Sequence, residues 1–239
     1  MFSIVIPVFN NHELTGLCLQ SIADCPSMPH EIIIVDNGSD PAISGATIRN
    51  DENFGFPIAV NQGIKASSGD VIIILNNDVI VTQNWLERFN YHLQKYDIVG
   101  ACTNSISGPQ QILIDRYDDK QGLYEQASKF QDENLNSSIP FHRVVFFCVA
   151  IKRAVIDKIG YLDEVYSPGN FEDDDYCLRA IKSGFKCGIA KDIFVHHFGS
   201  STFENISLEY GKLIEKNKRT FDAMWPEKVR EELIKVNNG

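Results

Sequence analysis

The sequence predicts an α/β fold in which a mostly parallel sheet is flanked by helices. Short apolar runs of strand length cover residues 2–8, 31–35 and 72–75, and a stretch with helical spacing separates the first two. A continuous apolar run bounded by polar residues is typical of a strand that is buried on both faces. A strand, a helix and a strand at this spacing form a βαβ unit, so the first two strands are predicted to be parallel.

The N-terminal half alternates strands with helices. After the first strand, Asn10 or Asn11 can cap a helix over residues 13–23, whose apolar positions roughly follow a helical stripe. The second strand ends at Asp36, and an amide-rich loop over 50–57 leads to a helix over 58–67. The central strand at 72–75 is followed by an amphipathic helix over 85–96 and a strand over 97–102.

Residues 105–138 differ in character, because they are polar, irregular and rich in Gln, Asp and Asn. We expect a lid or acceptor-binding insertion here, which separates a nucleotide-binding half (1–104) from an acceptor and catalytic half (139–203). In the second half we expect strands over 144–151 and 189–197, with helices over 152–159 and from Phe171 onward. A C-terminal helical extension is expected over 204–239, with its first helix at 208–225.

The bulk composition argues against several classes of protein. The 239 residues carry a formal net charge of −10, which disfavours nucleic-acid binding and a polybasic membrane patch. No stretch approaches the roughly 18 apolar residues that span a bilayer, and the N-terminus lacks signal-peptide features. The six cysteines show no CxxC spacing, so we expect reduced core thiols and a cytoplasmic protein. Peripheral contact with a membrane stays open.

The central strand runs directly into the polar triplet Asn76-Asn77-Asp78. Ligands of open α/β sheets bind beyond the carboxyl ends of the strands. A carboxylate at that place, flanked by two amides, suits a hard cation and the phosphate oxygens that the cation bridges. These residues alone are equally consistent with an Asn-Asp turn that simply ends a strand.

The second strand also ends in a carboxylate, Asp36, but the chain lacks both GxGxxG and GxxxxGK[ST]. Asp36 can accept hydrogen bonds from ribose hydroxyls or a base edge. A turn held by side-chain to backbone bonds is an equally good reading of Asp36 alone. Asn61, near the start of the next helix, can either act in a cap-like way or face a ligand in the cleft.

Four consecutive acidic residues, 172–175, lie in the first turn of a predicted helix. A helix N-terminus favours negative charge, but one turn needs only one or two such residues. Four adjacent carboxylates repel one another and raise a pKa among them, which favours a cation or a proton-transfer role. The last strand ends in His196-His197, and neutral imidazole joins carboxylates at Mn²⁺ sites.

The order of these segments resembles family 2 glycosyltransferases. The resemblance covers roughly residues 2–203, and the segments that carry it are 3–10, 34–39, 53–56 with 59–63, 69–78, 171–180 and 195–200. Each segment is weak alone, but six in register are specific. Residues 217–225 also resemble a helix that often follows in rhamnosyltransferase-like members.

The resemblance implies a single domain of the GT-A fold and an inverting, metal-dependent enzyme. Its donor would be a nucleoside-diphosphate sugar such as a UDP-sugar. The hexosyl or deoxyhexosyl group would go to a hydroxyl of a glycan, lipid-linked or protein acceptor, as in polysaccharide biosynthesis. Asp78 would bind Mn²⁺ or Mg²⁺ together with His196 or His197. Asp173, beside Glu172, would be the general base, although the run of aspartates leaves open a shift of that role by one residue.

The resemblance also implies a set of donor-binding residues at the ends of the first strands. Residues 7–9 would line the nucleobase pocket, and Asp36 would bind the base or ribose. The residues that would contact the nucleotide or donor sugar are Pro7, Val8, Phe9, Asn10, Asp36, Asn53, Asn61, Asn76 and Asn77.

Two other functions stay open at this stage. A sugar nucleotidyltransferase shares this architecture, but it needs a Gly-rich, cationic loop after the first strand, and residues 7–11 contain no cation. A non-catalytic carbohydrate-binding relative is expected to lose either the Glu172-Asp173 pair or Asp78, and this chain keeps both.

Overall fold

The computed structural model describes residues 1–25, 28–199 and 208–238. In these residues the strands are β1 Phe2–Val8, β2 His30–Asn37, β3 Ile48–Asn50, β4 Val71–Leu75, β5 Val79–Ile80, β6 Ile98–Cys102, β7 Ser138–Pro140, β8 Cys148–Lys152, β9 Cys187–Phe194 and β10 His196–His197. The helices are α1 His12–Asp24, α2 Phe56–Ala66, α3 Trp85–His92, α4 Lys120–Glu133, α5 Arg153–Ile159, α6 Glu172–Lys182, α7 Leu208–Met224 and α8 Glu227–Asn238. A 3₁₀ turn covers Glu164–Tyr166.

Eight strands form one sheet in the order β3-β2-β1-β4-β8-β6-β9-β7, and β5 pairs with β10 in a separate antiparallel ribbon. Strand β1 pairs in parallel with both β2 and β4, in agreement with the predicted βαβ unit. Strand β8 lies antiparallel between β4 and β6. Of the eight strands, β7 and β8 run against the rest. The predicted α/β fold with a mostly parallel mixed sheet is confirmed.

The core lies on both faces of this sheet. Along β4, Ile73 and Leu75 belong to a cluster with residues of α1 and α3, whereas Ile72 and Ile74 belong to a cluster with residues of α2, α5 and α6. All four side chains are fully buried. Helices cover both faces of β4, so every residue of its apolar run is buried. This burial on both faces is what the continuous apolar run predicted.

The strand predicted over 144–151 begins later, at Cys148. The backbone N–H of Val144 donates to Cys177 Sγ at 3.4 Å, and that of Val145 donates to Gln110 Oε1 at 2.7 Å. Because side chains bind these backbone groups, residues 144–147 stay outside the strand ladder. Because Cys148 pairs with Leu75, the last residue of β4, residues 144–147 lie next to the carboxyl end of β4.

The composition of residues 105–138 predicted an irregular insertion. The structure shows instead that this insertion contains the 14-residue helix α4. Asp119 caps this helix by accepting a hydrogen bond from the Gly122 N–H at 2.8 Å. Leu123 and Ala127 are buried against a cluster that contains Phe194 of β9. The prediction of an irregular segment was wrong because α4 shows only a narrow apolar stripe within a polar sequence, and that stripe packs on the sheet.

The C-terminal helices pack against α6 and the turn before it. Phe221 and Trp225 form a buried cluster with Tyr166 and Leu178. At the far end of α8, Asn237 accepts a hydrogen bond from the Cys187 N–H at 2.8 Å and donates to the Cys187 carbonyl at 3.1 Å. These contacts make the helices that follow residue 207 part of the packed structure.

All six cysteines are buried and free, which confirms the prediction of reduced core thiols. Among the described residues, none of the helices combines the length and the apolar character needed to cross a bilayer.

Candidate active site

Several predicted site residues lie at the sheet edge where β1, β2 and β4 end. Because these strands are parallel, their carboxyl ends face the same side, and the β5–β10 ribbon follows directly after β4. Asp36 and Asn37 end β2, and Asp78 immediately precedes β5. The crevice beyond such strand ends is where open α/β sheets bind ligands.

Asp78 and His197 form a close pair in the β5–β10 ribbon. His197 lies opposite Val79 in the ribbon, and the Phe198 N–H donates to the Asp78 carbonyl at 3.0 Å. This register brings His197 Nε2 to 3.2 Å from Asp78 Oδ1. Burial alone would lower the pKa of His197, but the hydrogen bond and negative charge of Asp78 outweigh it and raise that pKa.

The ring of His197 is fixed from two other sides. Its Nδ1 lies 2.9 Å from the Ser105 carbonyl, so Nδ1 carries the proton that it donates there. The ring also stacks on Phe147, with 5.4 Å between the ring centroids. With Nδ1 committed to Ser105, Nε2 is the nitrogen that faces Asp78 and is available to a ligand.

His196 lies in a different environment from its neighbour. Its Nδ1 is hydrogen-bonded to the Tyr117 hydroxyl, and its ring meets Phe198 edge to face. Burial, helped by the charge of His197, lowers the pKa of His196 to about 4. Of the two histidines predicted as metal ligands, the structure brings His197 to Asp78 and places His196 against the insertion that contains Tyr117.

The four carboxylates at the start of α6 have different partners. Asp174 pairs with Arg143, whose Nε lies 2.9 Å from Asp174 Oδ1. Asp175 accepts a hydrogen bond from Trp225 Nε1 at 2.8 Å and one from Arg179 Nε at 2.7 Å. Asp174 is therefore bound by one arginine, and Asp175 by another arginine and by the indole of Trp225.

Asp173 is 8% exposed and has no cation of its own among the contacts that the structure describes. Its Oδ1 accepts the Asp174 N–H at 2.8 Å, and the Phe146 N–H also stabilises its charged form. Burial, with repulsion from Asp174, nevertheless raises the pKa of Asp173 to about 7. Glu172 is also buried, and its Oε2 has no hydrogen-bond partner among the described residues. Burial and the neighbouring Asp173 raise the pKa of Glu172 well above its ordinary value.

One short segment, Phe146-Phe147, links Asp173 to the Asp78–His197 pair. Asp173 accepts from the backbone N–H of Phe146, and the ring of Phe147 stacks on His197. The Phe147 carbonyl accepts the backbone N–H of Asn76 at 2.8 Å, which joins the segment to the polar triplet. Adjacent Cα atoms lie about 3.8 Å apart, so Asp173 and the histidine that pairs with Asp78 contact neighbouring residues of one stretch of backbone.

Asp36 is fully buried and organises the loop that follows β2. Its carboxylate accepts the N–H groups of Ser39 and Ile43, each at 2.9 Å, and pairs with Arg49. Burial would raise the pKa of Asp36, but these hydrogen bonds outweigh it and lower that pKa. Asn10 supports the same loop, because its Oδ1 accepts the Asp40 N–H at 3.0 Å.

The remaining predicted donor residues divide into exposed and internally bonded groups. Phe9 is 40% exposed at the end of β1, whereas Val8 beside it is buried and Pro7 is half-buried. Asn77 donates to Thr15 Oγ1 at 2.9 Å. Asn53 is exposed, and its Oδ1 accepts from the Asn37 amide at 2.8 Å.

Asn61 is bound on all sides by the protein. Its Nδ2 donates to the Leu162 carbonyl at 2.9 Å and to Glu164 Oε1 at 3.1 Å, and its Oδ1 accepts the Leu162 N–H at 3.0 Å. It is 2% exposed. These bonds use both amide hydrogens of Asn61. They join α2 to the segment before α6.

Sequence reasoning missed three side chains that shape this site: Arg49, Tyr117 and Arg143. Arg49 and Arg143 each neutralise a carboxylate from a distant part of the chain. For both arginines the sequence offered a signal. Each is an isolated cation, and a carboxylate that needs a partner stands at the end of β2 (Asp36) or at the start of α6 (Asp174). Tyr117 carried no signal, because its segment was expected to be irregular.

Two cavities, of about 580 and 310 Å³, lie beside α6 and not at Asp78. The larger is lined by Asp175, Arg179 and Trp225, and the smaller by Asp174, Phe221 and Arg230. Both lie between α6 and the C-terminal helices.

Comparison with known proteins gives the same family as the motif order. The profile described as Glycosyl transferase family 2 matches residues 3–160, which is more than half of the chain. The chain is 29% identical over 192 residues to the uncharacterized glycosyltransferase YwdF of Bacillus subtilis, covering 75% of this chain and 68% of that protein. It is 25% identical over 211 residues to glycosyltransferase AglE of Haloferax volcanii, covering 82% and 66%.

The fold is shared with a solved structure of low sequence identity. The crystal structure of S. aureus TarS 1–349 superimposes with a TM-score of 0.62 at 12% identity, covering 99% of this chain and 70% of that one. A second structure of the same protein, in complex with UDP-GlcNAc, superimposes equally well. The family match, the motif order and the GT-A architecture agree, and the chain belongs to glycosyl transferase family 2.

Proposed function

We propose that this protein transfers a sugar from a nucleoside-diphosphate sugar to an acceptor hydroxyl by single displacement with inversion. The observation that carries the proposal is the convergence of the Asp78–His197 pair and Asp173 on the Phe146-Phe147 segment. One relative of the fold is a transferase crystallised with UDP-GlcNAc, which makes a UDP-sugar the first donor to test. A glycan, lipid-linked or protein hydroxyl remains the class of acceptor.

The residues at the strand ends fit a divalent cation, although they supply only part of its shell. Asp78 offers carboxylate oxygens, and His197 offers Nε2 at 3.2 Å from them, a donor set that suits Mn²⁺ or Mg²⁺. In the described part of the chain, no three His, Cys, Asp or Glu side chains are arranged so that they alone could hold a metal ion. The donor's diphosphate oxygens and water would complete such a shell. When bound, the cation would neutralise the charge on the leaving diphosphate.

Asp173 is the best base of the acidic run, because its neighbours are already engaged. Asp174 pairs with Arg143, and Asp175 with Trp225 and Arg179. These partners occupy carboxylate oxygens of both aspartates, so neither carboxylate is free to meet an acceptor hydroxyl. The pKa of Asp173, raised to about 7 by burial, is matched to proton transfer near neutral pH.

The chemistry follows from these positions. The acceptor oxygen forms a bond to the anomeric carbon while the bond from that carbon to the diphosphate oxygen breaks. The acceptor's proton passes to the Asp173 carboxylate, a step typically worth about 10²–10⁴-fold in rate. The half-buried Arg143 pairs with Asp174, so the Asp174 carboxylate is already engaged.

We also propose that residues 1–203 form the transferase unit, with 1–104 on the donor side, 105–138 shaping the acceptor pocket and 139–203 carrying the base. The contacts of Tyr117 with His196 support an insertion that reaches the site. The proposed C-terminal extension is 204–239, and its helices lie within the described residues 208–238.

Asp173→Asn is expected to abolish transfer while leaving donor binding intact. The amide keeps the size of the carboxylate but cannot take a proton, so turnover should fall by at least about 10²-fold. The donor is first found by screening nucleotide sugars for release of nucleoside diphosphate. Donor binding is then followed as the rise in Tm that UDP and Mn²⁺ produce.

The matched control is Asp51→Asn, which removes one exposed carboxylate near the donor-side loop. It is expected to retain both turnover and the Tm rise. Transfer activity preserved in Asp173→Asn would reject Asp173 as the base. A wild-type Tm that responds to none of the nucleoside diphosphates with Mn²⁺, in a protein that uses none of the screened donors, would reject the proposed transfer.

A further inference from the structure

The turn that leads into α6 has an unfavourable backbone. Gly169, Asn170 and Phe171 have φ angles of 155°, 76° and 75°. A left-handed conformation is unfavourable for a non-glycine residue, because its Cβ approaches the following carbonyl oxygen. Phe171 is bulky and immediately precedes Glu172 and Asp173, so the strain is located where the acidic run begins. Such conformations persist only when surrounding contacts impose them.

Asn217 of α7 supplies contacts of this kind. It is completely buried, and its Nδ2 donates to the Tyr166 carbonyl at 2.6 Å and the Gly169 carbonyl at 2.9 Å. A third carbonyl, that of Asn170, lies 3.5 Å away. Three carbonyl oxygens around one amide nitrogen require an NH₂ group, so neither Asp nor an apolar residue can replace it without loss.

The same turn also contacts the donor side of the site. The Pro168 carbonyl accepts the N–H of Phe56 at 2.8 Å, at the start of α2. A Cβ atom added to Gly55 would lie 2.6 Å from Pro168 Cα, so the two backbones are in direct contact. The position of the turn therefore depends on the loop at 53–56 on one side and on Asn217 on the other.

Helix α7 makes a second contact with the first turn of α6. Trp225 Nε1 donates to the buried carboxylate of Asp175 at 2.8 Å. Phe221, one turn earlier, lies against the ring of Phe171, with 5.4 Å between the centroids. One helix thus contacts the strained turn through Asn217 and Phe221, and the acidic run through Trp225.

We propose that Asn217 is a positioning residue, which holds the 166–171 turn so that the Asp173 carboxylate meets the acceptor hydroxyl. The inference rests on the proposed function, because it assigns Asn217 a task in the reaction of Asp173. The family profile ends at residue 160, so neither the turn nor α7 belongs to the matched segment.

The experiment measures the protonation of Asp173 directly, without a substrate. Carboxyl ¹³C NMR of aspartate-labelled full-length protein follows each aspartate through a pH titration, and the resonance absent from Asp173→Asn is that of Asp173. The charged groups that face this carboxyl are Glu172 and Asp174 on α6 and Arg143 from the segment before β8, with the Cys177 thiol nearby. None of them is altered in the variants.

In Asn217→Ala the turn is expected to relax and admit water, so that the pKa of Asp173 falls by about one pH unit or more. With a donor identified, kcat should fall about tenfold while the KM for donor stays near the wild-type value. Asn237→Ala is the matched control, because Asn237 is also a buried asparagine on a C-terminal helix that binds backbone groups, those of Cys187. It should lower stability and leave the pKa of Asp173 unchanged.

An Asp173 titration that is the same in Asn217→Ala as in the wild type, or that shifts equally in Asn237→Ala, overturns the proposal. Should Asn217→Ala fail to fold, Asn217→Ser is judged by the same criteria, since a hydroxyl has one hydrogen to donate where the amide has two. A shifted pKa in a protein that transfers no sugar would retain the positioning role and reject only the proposed reaction.

Discussion

Two adjacent histidines at the end of the sheet have separate environments. His197 faces Asp78 and has its Nδ1 bound to Ser105, whereas His196 is bonded to Tyr117 and lies against Phe198. Neighbouring residues of a strand point to opposite faces, so two histidines in a row cannot occupy equivalent positions. This alternation is the physical reason that one of the pair, and not both, reaches the carboxylate.

His197→Ala is expected to remove the Tm rise that Mn²⁺ with UDP produces, because it deletes an imidazole nitrogen beside Asp78. A rise of several degrees in the wild type, seen at ligand concentrations well above Kd, should fall to near zero. Differential scanning fluorimetry with and without Mn²⁺ measures it.

His196→Ala provides the comparison, since it removes a ring of the same size from the next position. It should lower the starting Tm through loss of packing with Tyr117 and Phe198, yet keep the Mn²⁺-dependent rise. The assignment is incorrect if His196→Ala, and not His197→Ala, loses the metal response.

At the scale of single residues, the sequence located the acidic run but not the roles within it. The difference between Asp173, Asp174 and Asp175 depends on Arg143 and Trp225, which lie some 30 to 50 positions away in the chain. Local patterning contains no information about such partners. Asn61 shows the same limit, because its amide is bound by residues about 100 positions later. The donor-side roles of the other predicted residues stay predictions.

At the scale of elements, strands were predicted well where their apolar runs are continuous. Strand β1 was predicted with its observed bounds, Phe2–Val8, because both of its faces are buried. Strands β3 and β7, of three residues each, were not predicted. They are short and lie at the two edges of the sheet, where pairing depends on a neighbour and burial is partial. Helix α4 was missed since polar residues cover most of its surface.

The packing of α2 on the sheet depends on a glycine. A methyl group at Gly63 would overlap Cγ1 of Val5 on β1, so Gly63→Ala is expected to destabilise the fold by about 1–3 kcal/mol. Urea unfolding at 25 °C measures the change.

The matched substitution is Gly16→Ala on α1, where nothing lies within 4 Å of the added methyl group. There the helix gains a better helix former, and stability should increase by about 0.5–1 kcal/mol. Equal effects of the two substitutions would mean that α2 does not approach β1 as closely as described.

At the scale of the whole molecule, burial of Asp173 couples stability to pH. Its pKa is about 7 in the folded chain and about 4 when unfolded. The folded state therefore retains a proton that the unfolded state releases between these values. The contribution of Asp173 to the free energy of unfolding is largest below the unfolded pKa. It decreases as the pH rises towards 7.

Asp173→Asn is expected to make the free energy of unfolding less dependent on pH, because it removes a slope of up to about 1.4 kcal/mol per pH unit between roughly pH 4 and 7. Urea unfolding at pH 5 and pH 8 measures it. Asp51→Asn removes an equal charge at an exposed position and should keep the wild-type slope. A slope that is unchanged in Asp173→Asn would mean that this carboxyl is ionised at pH 5.

The position of β8 has a mechanical consequence. Strand β8 pairs with β4 on one side and with β6 on the other. Its backbone hydrogen bonds therefore join the strands β3-β2-β1-β4 to the strands β6-β9-β7. Rigid-body closure about a hinge between these two sets of strands would require those hydrogen bonds to break. The strands on the two sides of β8 therefore belong to one continuous sheet, and the strand that leads to Asp78, β4, is bound into that sheet along its whole length.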